Sequence, residues 1–410
     1  MSGPRELFQE VVGHINSAVE DAGVRITSVR RLALLVTGLL LGQHAALARI
    51  ASQLETLELT EAHDVSHIAR RLRRALSDEQ LELRTCYLPT VHALVDWEWL
   101  RHHRQPVTLI VDDSTKEETI HRLQLSLAYR GNSVPLAWSV WTQNEPLPDG
   151  EYWQRLEGLL AEVATVLPPD LSVLVLADRA FDVAPFVDRI RAHGWHWLIR
   201  VKAESELRWR DRTGHECALH DWRQAHLVKP GQRVRARGEV FKGAGWREAS
   251  LVGVWAAGEA EPLVVISDQP ASWERADDYR RRFWIEAGFR SDKSHGWNWE
   301  ASGVQGVEHN DRLLLAMAWA TLIAFSLGCQ QAATQLRQLA RRAIRSQRPP
   351  KDCHARFSLL TMGLRQTNRL IAGLSHGPLF IRLPEPDASS WNDSWTAAVI
   401  RRYEHQTVRP

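Results

Sequence analysis

The sequence predicts an α/β protein: a mixed sheet with flanking helices, interrupted by a β-rich insertion, preceded by a helical domain and followed by further helices. Three observations carry this. Apolar residues recur at helical spacing from Leu7 through Val36 to Leu54. At Pro106 the period changes, and Val107-Thr108-Leu109-Ile110-Val111 is a short apolar, β-branched run. From about Ala203 to Ser267 glycines punctuate Val- and Trp-rich runs, the pattern of short strands and turns.

In chain order, Gly42-Gln43-His44 separates two apolar helical stretches, as in a helix-turn-helix pair. A further helix is expected from Val65 to Leu76, capped by Ser66 and carrying Arg70, Arg71, Arg73 and Arg74. The Val107–Val111 run is a buried strand that leads straight into Asp112-Asp113. Leu123, Leu125, Leu127 and Tyr129 alternate, Gly131-Asn132 makes a turn, and Val134 to Trp141 returns as the partner strand. Glu151 to Leu167 has helical spacing and stops at Pro168-Pro169. Val173-Leu174-Val175-Leu176 is another buried strand, ending at Ala177-Asp178; a helix from Val183 to His193 and a strand from Trp195 to Val201 follow. Three strands in a meander and then strands alternating with helices is the order of an RNase H-like fold. In that fold the first and fourth strands are neighbours, so Asp113 (or Asp112) and Asp178 would meet.

A helix is expected from Trp273 to Lys293 and more helix from Asp311 to Arg345, broken at Pro349-Pro350. The organisation predicted is a helical DNA-binding domain at 1–104, a core in two parts at 105–202 and 269–348, the insertion at 203–268, and a C-terminal segment of unassigned role at 349–410.

Composition sets the outer limits. With 410 residues, 44% hydrophobic and 24% charged, the chain has the balance of a globular protein large enough for two or three domains. Net charge is only +2, so its distribution matters more: the Arg70–Arg74 cluster and Arg337, Arg341, Arg342, Arg345 and Arg348 at helical spacing are either solvated faces or phosphate contacts. The 18 Trp residues read first as core. Four scattered cysteines (Cys86, Cys217, Cys329, Cys353) fit free thiols in a reducing compartment. His215, Cys217 and His220 lack the second ligand pair of a zinc finger. The N-terminus carries no apolar signal region. Leu32–Leu41 and Leu313–Gly328 fall short of the ~20 apolar residues of a membrane span, and the second reads as a buried core helix. A cytoplasmic protein with no membrane partner is expected.

The sharpest chemical signal lies in the helix around residue 286. Arg282, Glu286, Arg290 and Lys293 follow Tyr279 at offsets of 3, 7, 11 and 14, which fall near one side of a helix. One stripe thus presents an acid among an aromatic hydroxyl and three cations, with Phe283, Ile285 and Ala287 opposite. A solvated stripe with an i,i+4 pair between Glu286 and Arg290 is the bland alternative. Two strand-end aspartates upstream favour the sharper one. Three carboxylates on two neighbouring strand ends and one helix suit Mg²⁺, which takes oxygen ligands. Two such ions ~3.5–4 Å apart activate the attacking oxygen and stabilise the leaving oxygen of a phosphodiester.

These residues resemble a known family. Tyr279-x2-Arg282-x3-Glu286-x6-Lys293 matches the YREK signature of DDE transposases of bacterial insertion sequences, of the insertion sequence four type. Ala177-Asp178-Arg179-Ala180-Phe181 resembles the segment around the family's second Asp, with Ala180 in place of the usual Gly. Asp113-Ser114-Thr115 resembles the first-Asp segment, Asp-x-Thr; Asp112 competes, and Asp113 is preferred because Thr115 then follows at the family's distance. Trp284 to Lys293 is also similar to the family around its Glu. The resemblance covers roughly residues 30 to 330.

It implies an RNase H-like core and Asp113, Asp178 and Glu286 as catalytic metal ligands for Mg²⁺, two ions, with Mn²⁺ able to substitute. It further implies Tyr279, Arg282 and Lys293 on the DNA backbone near the cut end; Arg290 is added from helix geometry. Trp297 and Trp299 follow the helix. In hairpin-forming relatives an aromatic stacks on a flipped base, so Trp299 is a candidate for that role, against the commoner fate of a Trp in a core. The activity implied is metal-dependent cleavage at transposon ends and 3′-OH strand transfer into target DNA by a cut-and-paste route. Double-stranded DNA (terminal inverted repeats and target), a homodimer in the synaptic complex, and a bacterial, nucleoid-associated location follow from it. An RNase H-like nuclease without strand transfer and an inactive transposase-derived DNA-binding protein are the alternatives.

Overall fold

The computed structural model describes residues 3–60, 64–202, 204–346, 357–373, 379 and 381–383. Pro349-Pro350, Arg348, Cys353, Pro378, Pro384 and Pro386 lie outside the described residues. The chain begins with helices α1 (Pro4–Ala18), α2 (Ile26–Gly42), α3 (Leu47–Thr56), α4 (Val65–Leu76), α5 (Leu83–Cys86), α6 (Leu88–Leu94) and α7 (Trp97–His103). α2 and α3 are bent by 87° at the Gly42-Gln43-His44 break, where Gln43 is left-handed. α4 is capped by Asp64, not Ser66. The Asp64 carboxylate accepts from the Ser66 backbone N–H at 2.8 Å, and a carboxylate at a helix start also meets the positive end of the dipole.

β1 (Val107–Lys116), β2 (Ile120–Tyr129) and β3 (Asn132–Thr142) form the meander. The second turn is centred on Arg130-Gly131, both at positive φ as a tight hairpin requires, and Asn132 already belongs to β3. α8 (Glu151–Ala164), β4 (Val173–Ala177), α9 (Ala184–Ala192) and β5 (His196–Arg200) come next. The segment expected as an insertion contains β6 (Arg208–Asp211), β7 (Glu216–Ala218), α10 (Leu219–His226), β8 (Arg233–Val240), β9 (Arg247–Val254) and β10 (Leu263–Ser267). These strands extend the same sheet. Among the described residues it has ten strands in the order β3-β2-β1-β4-β5-β10-β9-β8-β6-β7, with β10 antiparallel to β5.

The single helix expected over Trp273–Lys293 is four segments in series: α11 (Glu274–Arg280), a 3₁₀ turn at Arg281–Phe283, α12 (Trp284–Arg290) and a π turn at Ser291–His295. The changes of winding shift the side-chain positions away from an ideal 3.6-residue repeat. α13 (Val307–Ser346) and α14 (Leu359–Ile371) complete the fold. They cross closely: a Cβ on Gly363 would stand 1.7 Å from the Ala324 carbonyl oxygen. Residues 313–329 of α13 are all buried. By length and composition Val307–Leu339 could cross a bilayer, yet 94% of its most apolar window is covered by protein.

The sheet separates two apolar clusters. The larger joins α1–α4, α8, α9 and α13 to one face and includes Leu109, Val111, Trp197, Trp209, Trp297, Trp299 and Trp319. The smaller lies on the other face, where Ile110, Leu174, Leu176, Leu198, Val252 and Val265 pack under Tyr279, Ile285 and Phe289 of α11 and α12. α12 also lies close on β3: a Cβ on Gly288 would stand 2.3 Å from Ser133 Oγ. A side chain at Gly288 would force the Ser133 hydroxyl aside, so glycine lets the Glu286-bearing helix seat close on β3.

Candidate active site

Strand alternation decides which aspartate of the Asp112-Asp113 pair meets the helix. Successive residues of β1 face opposite sides. Leu109 and Val111 join the large cluster and Ile110 the small one, so Asp112 turns toward α11 and α12 and Asp113 turns away. β4 runs parallel to β1 with Val111 opposite Ala177, so Asp112 and Asp178 follow at adjacent strand ends. The Asp178 carboxylate also caps the 3₁₀ turn Arg179–Phe181, accepting from Ala180 N–H at 2.7 Å. Ala180 has no left-handed backbone, so this turn does not need a glycine.

The carboxylates converge on Arg282. Its Nη2 lies 2.7 Å from Asp112 Oδ2 and 3.6 Å from Asp178 Oδ2, and its Nη1 donates to Glu286 Oε1 at 2.5 Å. The Arg282 side chain is 8% exposed, whereas that of Glu286 is 49% exposed. Burial pushes the Asp112 carboxyl up to about 6, with Arg282 pulling the other way and Asp178 and Asp113 adding to the rise. Burial lowers the Arg282 value, but Asp112 and its neighbours outweigh it and the net shift is upward.

Asp113, the expected first ligand, lies beside them, but its carboxylate has other partners. Its Oδ1 is 2.9 Å from His121 Nε2 and its Oδ2 accepts from the Tyr152 hydroxyl at 2.8 Å. The His121 ring stacks on Trp141 at 4.2 Å, and its other nitrogen is 2.7 Å from Gln143 Oε1. Burial lowers the His121 pKa, but the Asp113 carboxylate outweighs it and raises it overall. The geometry thus groups Asp112, rather than the expected Asp113, with Asp178 and Glu286 around Arg282. Distance along the sequence to Thr115 carries no information about which face of β1 is used. His121, Tyr152 and Gln143 had no sequence signal, since only the β2–β3 hairpin and α8 bring them to Asp113.

A family model for the transposase DDE domain matches residues 89–323, a span that contains β1, β4 and α12 with all these carboxylates. The chain belongs to the DDE transposase family. No curated protein sequence matches this transposase. Among solved structures it is similar to the piggyBac transposase in its synaptic complex with hairpin DNA, at 11% identity and a TM-score of 0.38, over 89% of this chain and 77% of that one.

The transposase opens a cleft of about 570 Å³ beside the carboxylates, lined by Asp112, Asp113, Thr115, Glu286, Arg290 and Lys293 among others. Arg290 is exposed at its edge. Lys293 reaches into it with its Nζ 3.8 Å from Glu300 Oε1. The other expected DNA contacts are placed differently. Tyr279 is 1% exposed, because α11 turns its ring into the cluster under the helix. Phe283, expected on the apolar side, is 45% exposed instead. Arg282 is committed to the carboxylates.

Trp299 is fully buried, its Nε1 donating to Asn310 Oδ1 at 3.0 Å and its ring 4.9 Å from the Arg122 guanidinium. Trp297 is likewise buried and donates to Thr321 Oγ1 at 2.9 Å. Neither ring offers a free face, so of the two readings open for Trp299 the buried core position is the one the structure gives it. Both tie the end of the Glu286-bearing segment to α13. The Trp297 carbonyl also accepts from Ala45 N–H, joining it to the loop between α2 and α3. Among the described residues no three His, Cys, Asp or Glu side chains stand close enough together to hold a metal ion as they are. The Arg282 guanidinium separates the three carboxylates.

Proposed function

We propose that this transposase cuts double-stranded DNA at the ends of its element and joins the freed 3′-hydroxyl to target DNA. Asp112, Asp178 and Glu286 are the residues that would hold divalent metal, Mg²⁺ by preference and Mn²⁺ as a substitute. The observation that carries the reading is the convergence of these three carboxylates, from within β1, from the end of the adjacent β4 and from α12, on a single cationic group. An all-oxygen donor set suits Mg²⁺. It fits once the Arg282 guanidinium withdraws. When bound, such ions lower the cost of deprotonating the attacking oxygen and stabilise the leaving one.

Each step is an in-line displacement at phosphorus. The oxygen of water, or of the 3′-hydroxyl, forms a P–O bond as the bond to the leaving 3′ oxygen breaks, and that oxygen departs with a proton. Lys293 and Arg290 on the cleft wall hold phosphates next to the scissile one. Arg282, freed from the carboxylates, has the reach to do the same. Asp113, fixed by His121 and Tyr152, positions the end of β1. The strand order of β1 to β5 supports an RNase H-like core. The spacing of Tyr279, Arg282, Glu286 and Lys293 supports assignment to the insertion sequence four group and a cut-and-paste route. Two ends in one synapse call for a homodimer, and a bacterial, nucleoid-associated, cytoplasmic location goes with that role.

The test is cleavage of a labelled duplex carrying the element's own end, with Mg²⁺ or with EDTA, by wild type and Asp178→Ala. Metal-dependent cleavage that disappears in the variant supports the reading, and a joined product with a target plasmid separates strand transfer from simple nuclease action. Binding without cleavage by either protein would sink it.

A further inference from the structure

The sheet beyond the active site carries a basic track. On β8, Arg233, Arg235 and Arg237 alternate with Val234 and Ala236, so the three arginines share one face, and all three are exposed. Strand register identifies that face. Arg235 lies opposite Val252 of β9, Val252 opposite Val265 of β10, and Val265 opposite Arg200 of β5. Residues directly opposite on paired strands point the same way. Val252 and Val265 belong to the cluster beneath α11 and α12, so the β8 arginines stand on the face that bears the catalytic helix.

The same register sets the end of the sheet. Ala177 of β4 pairs with Ile199, so Asp178 and Arg200 come next at neighbouring strand ends. The row from Asp178 through Arg200, Val265 and Val252 to Arg235 therefore crosses four strand spacings, roughly 19 Å at ~4.8 Å each.

Among the described residues none of the three arginines forms an ion pair; carboxylates are engaged by other cations, as in Arg200–Glu261 and Arg210–Glu239. Arg235 is braced: its guanidinium lies over the Trp273 ring at 4.6 Å, and Trp273 is the residue on which α11 begins. Further along β8 the face turns acidic at Glu239, with Glu248 opposite it. Exposed Glu274 and Asp277 on α11 repel phosphates from the helix itself. Positive charge is thus concentrated at the end of β8 nearer the carboxylates, where exposed Lys229 precedes it.

We propose that this face of β8 binds the phosphate backbone of duplex DNA on one side of the cleavage point, roughly 19 Å from the carboxylates. The inference rests on the reading that the protein cuts DNA ends. Charge complementarity names the occupant, since three guanidiniums without a carboxylate partner among the described residues, along ~13 Å of strand, meet a polyanion with a charge every ~1.7 Å of duplex. At ~3.4 Å per base pair, about six base pairs of flank are needed to reach the track.

The experiment is fluorescence anisotropy of labelled duplexes carrying the element's end, lengthened step by step from 2 to 14 base pairs on either side of the cut, across a salt series. Wild type is compared with a triple Arg→Gln variant at 233, 235 and 237 and with the matching triple Arg→Lys variant. Expected is a rise in wild-type affinity as one flank passes about six base pairs, accompanied by a steeper salt slope. The Gln variant should lack both, losing roughly 2–3 in slope and about tenfold or more in affinity on long duplexes, while matching wild type on short ones. The Lys variant should keep the slope, which excludes misfolding as the cause. If wild type binds and cuts but the Gln variant equals it at every length, the β8 track is wrong and the cleavage reading stands. If wild type binds no duplex, both fall.

Discussion

Nη2 of Arg282 donates to Oδ2 of Asp112 at 2.7 Å, tying the 3₁₀ turn ahead of the Glu286-bearing helix to the middle of β1. The guanidinium thereby sits among three carboxylates and keeps their like charges together.

Arg282→Gln is expected to destabilise the metal-free protein by about 2–4 kcal/mol, because removing one member of a buried ionic cluster leaves the others uncompensated. The same variant should gain more from Mg²⁺ or Mn²⁺ than wild type does, since no side chain has to be displaced. Melting temperatures in EDTA and with each ion measure both effects. Equal metal-induced shifts in the two proteins would show that Arg282 does not compete for the site.

Asp112→Asn should abolish cleavage, more than about a hundredfold, whereas Asp113→Asn should cost about 10–100-fold at most, the range for a group that orients a ligand. Single-turnover cleavage of an end duplex with both variants decides this. A dead Asp113→Asn beside an active Asp112→Asn would return the first-ligand role to Asp113.

Burial raises the Asp112 carboxyl from its usual 3.8 to about 6, against the pull of Arg282. The folded protein then holds this proton more tightly than the unfolded chain. The contribution to stability is complete below about pH 4 and is lost as pH rises through about 6. In EDTA, wild type should lose on the order of 2–3 kcal/mol from this group between about pH 4 and 7. Asp112→Asn, which cannot ionise, should show a flatter profile in urea melts. Superimposable profiles would assign the decline to other groups.

Trp299→Ala should cost about 3–5 kcal/mol, as for a large aromatic removed from a core. Activity should fall in step with the folded fraction. A variant as stable as wild type that still failed to process DNA ends would restore the base-stacking role.

Much of the architecture was legible because its signals are local. The β-branched run before Asp112, the alternation of Leu123 to Tyr129 and the helical spacing after Glu151 each report a neighbourhood of a few residues, and the meander with β4 beside β1 followed from them. The helix from Trp273 to Lys293 was legible as helix but not in its winding. Its seating depends on Arg282 against Asp112 and on Gly288 against Ser133, contacts with residues more than a hundred positions away. Trp299 could not be placed for the same reason: an indole after a catalytic helix reads alike whether it faces a base or Asn310. Which face Arg233, Arg235 and Arg237 occupy follows only from three successive strand pairings.

By itself the sequence determined the set of groups available: two strand-end aspartates, a glutamate at helical spacing from Arg282 and Lys293, and the strand order that brings the first two together. Only the tertiary structure placed Asp112 rather than Asp113 beside Arg282 and turned Tyr279 and Trp299 inward. The period of a strand says that neighbours point to opposite faces. Which face receives the catalytic helix is settled by packing the Ile110, Leu174 and Leu176 layer under Ile285 and Phe289, an interaction between segments far apart in the chain.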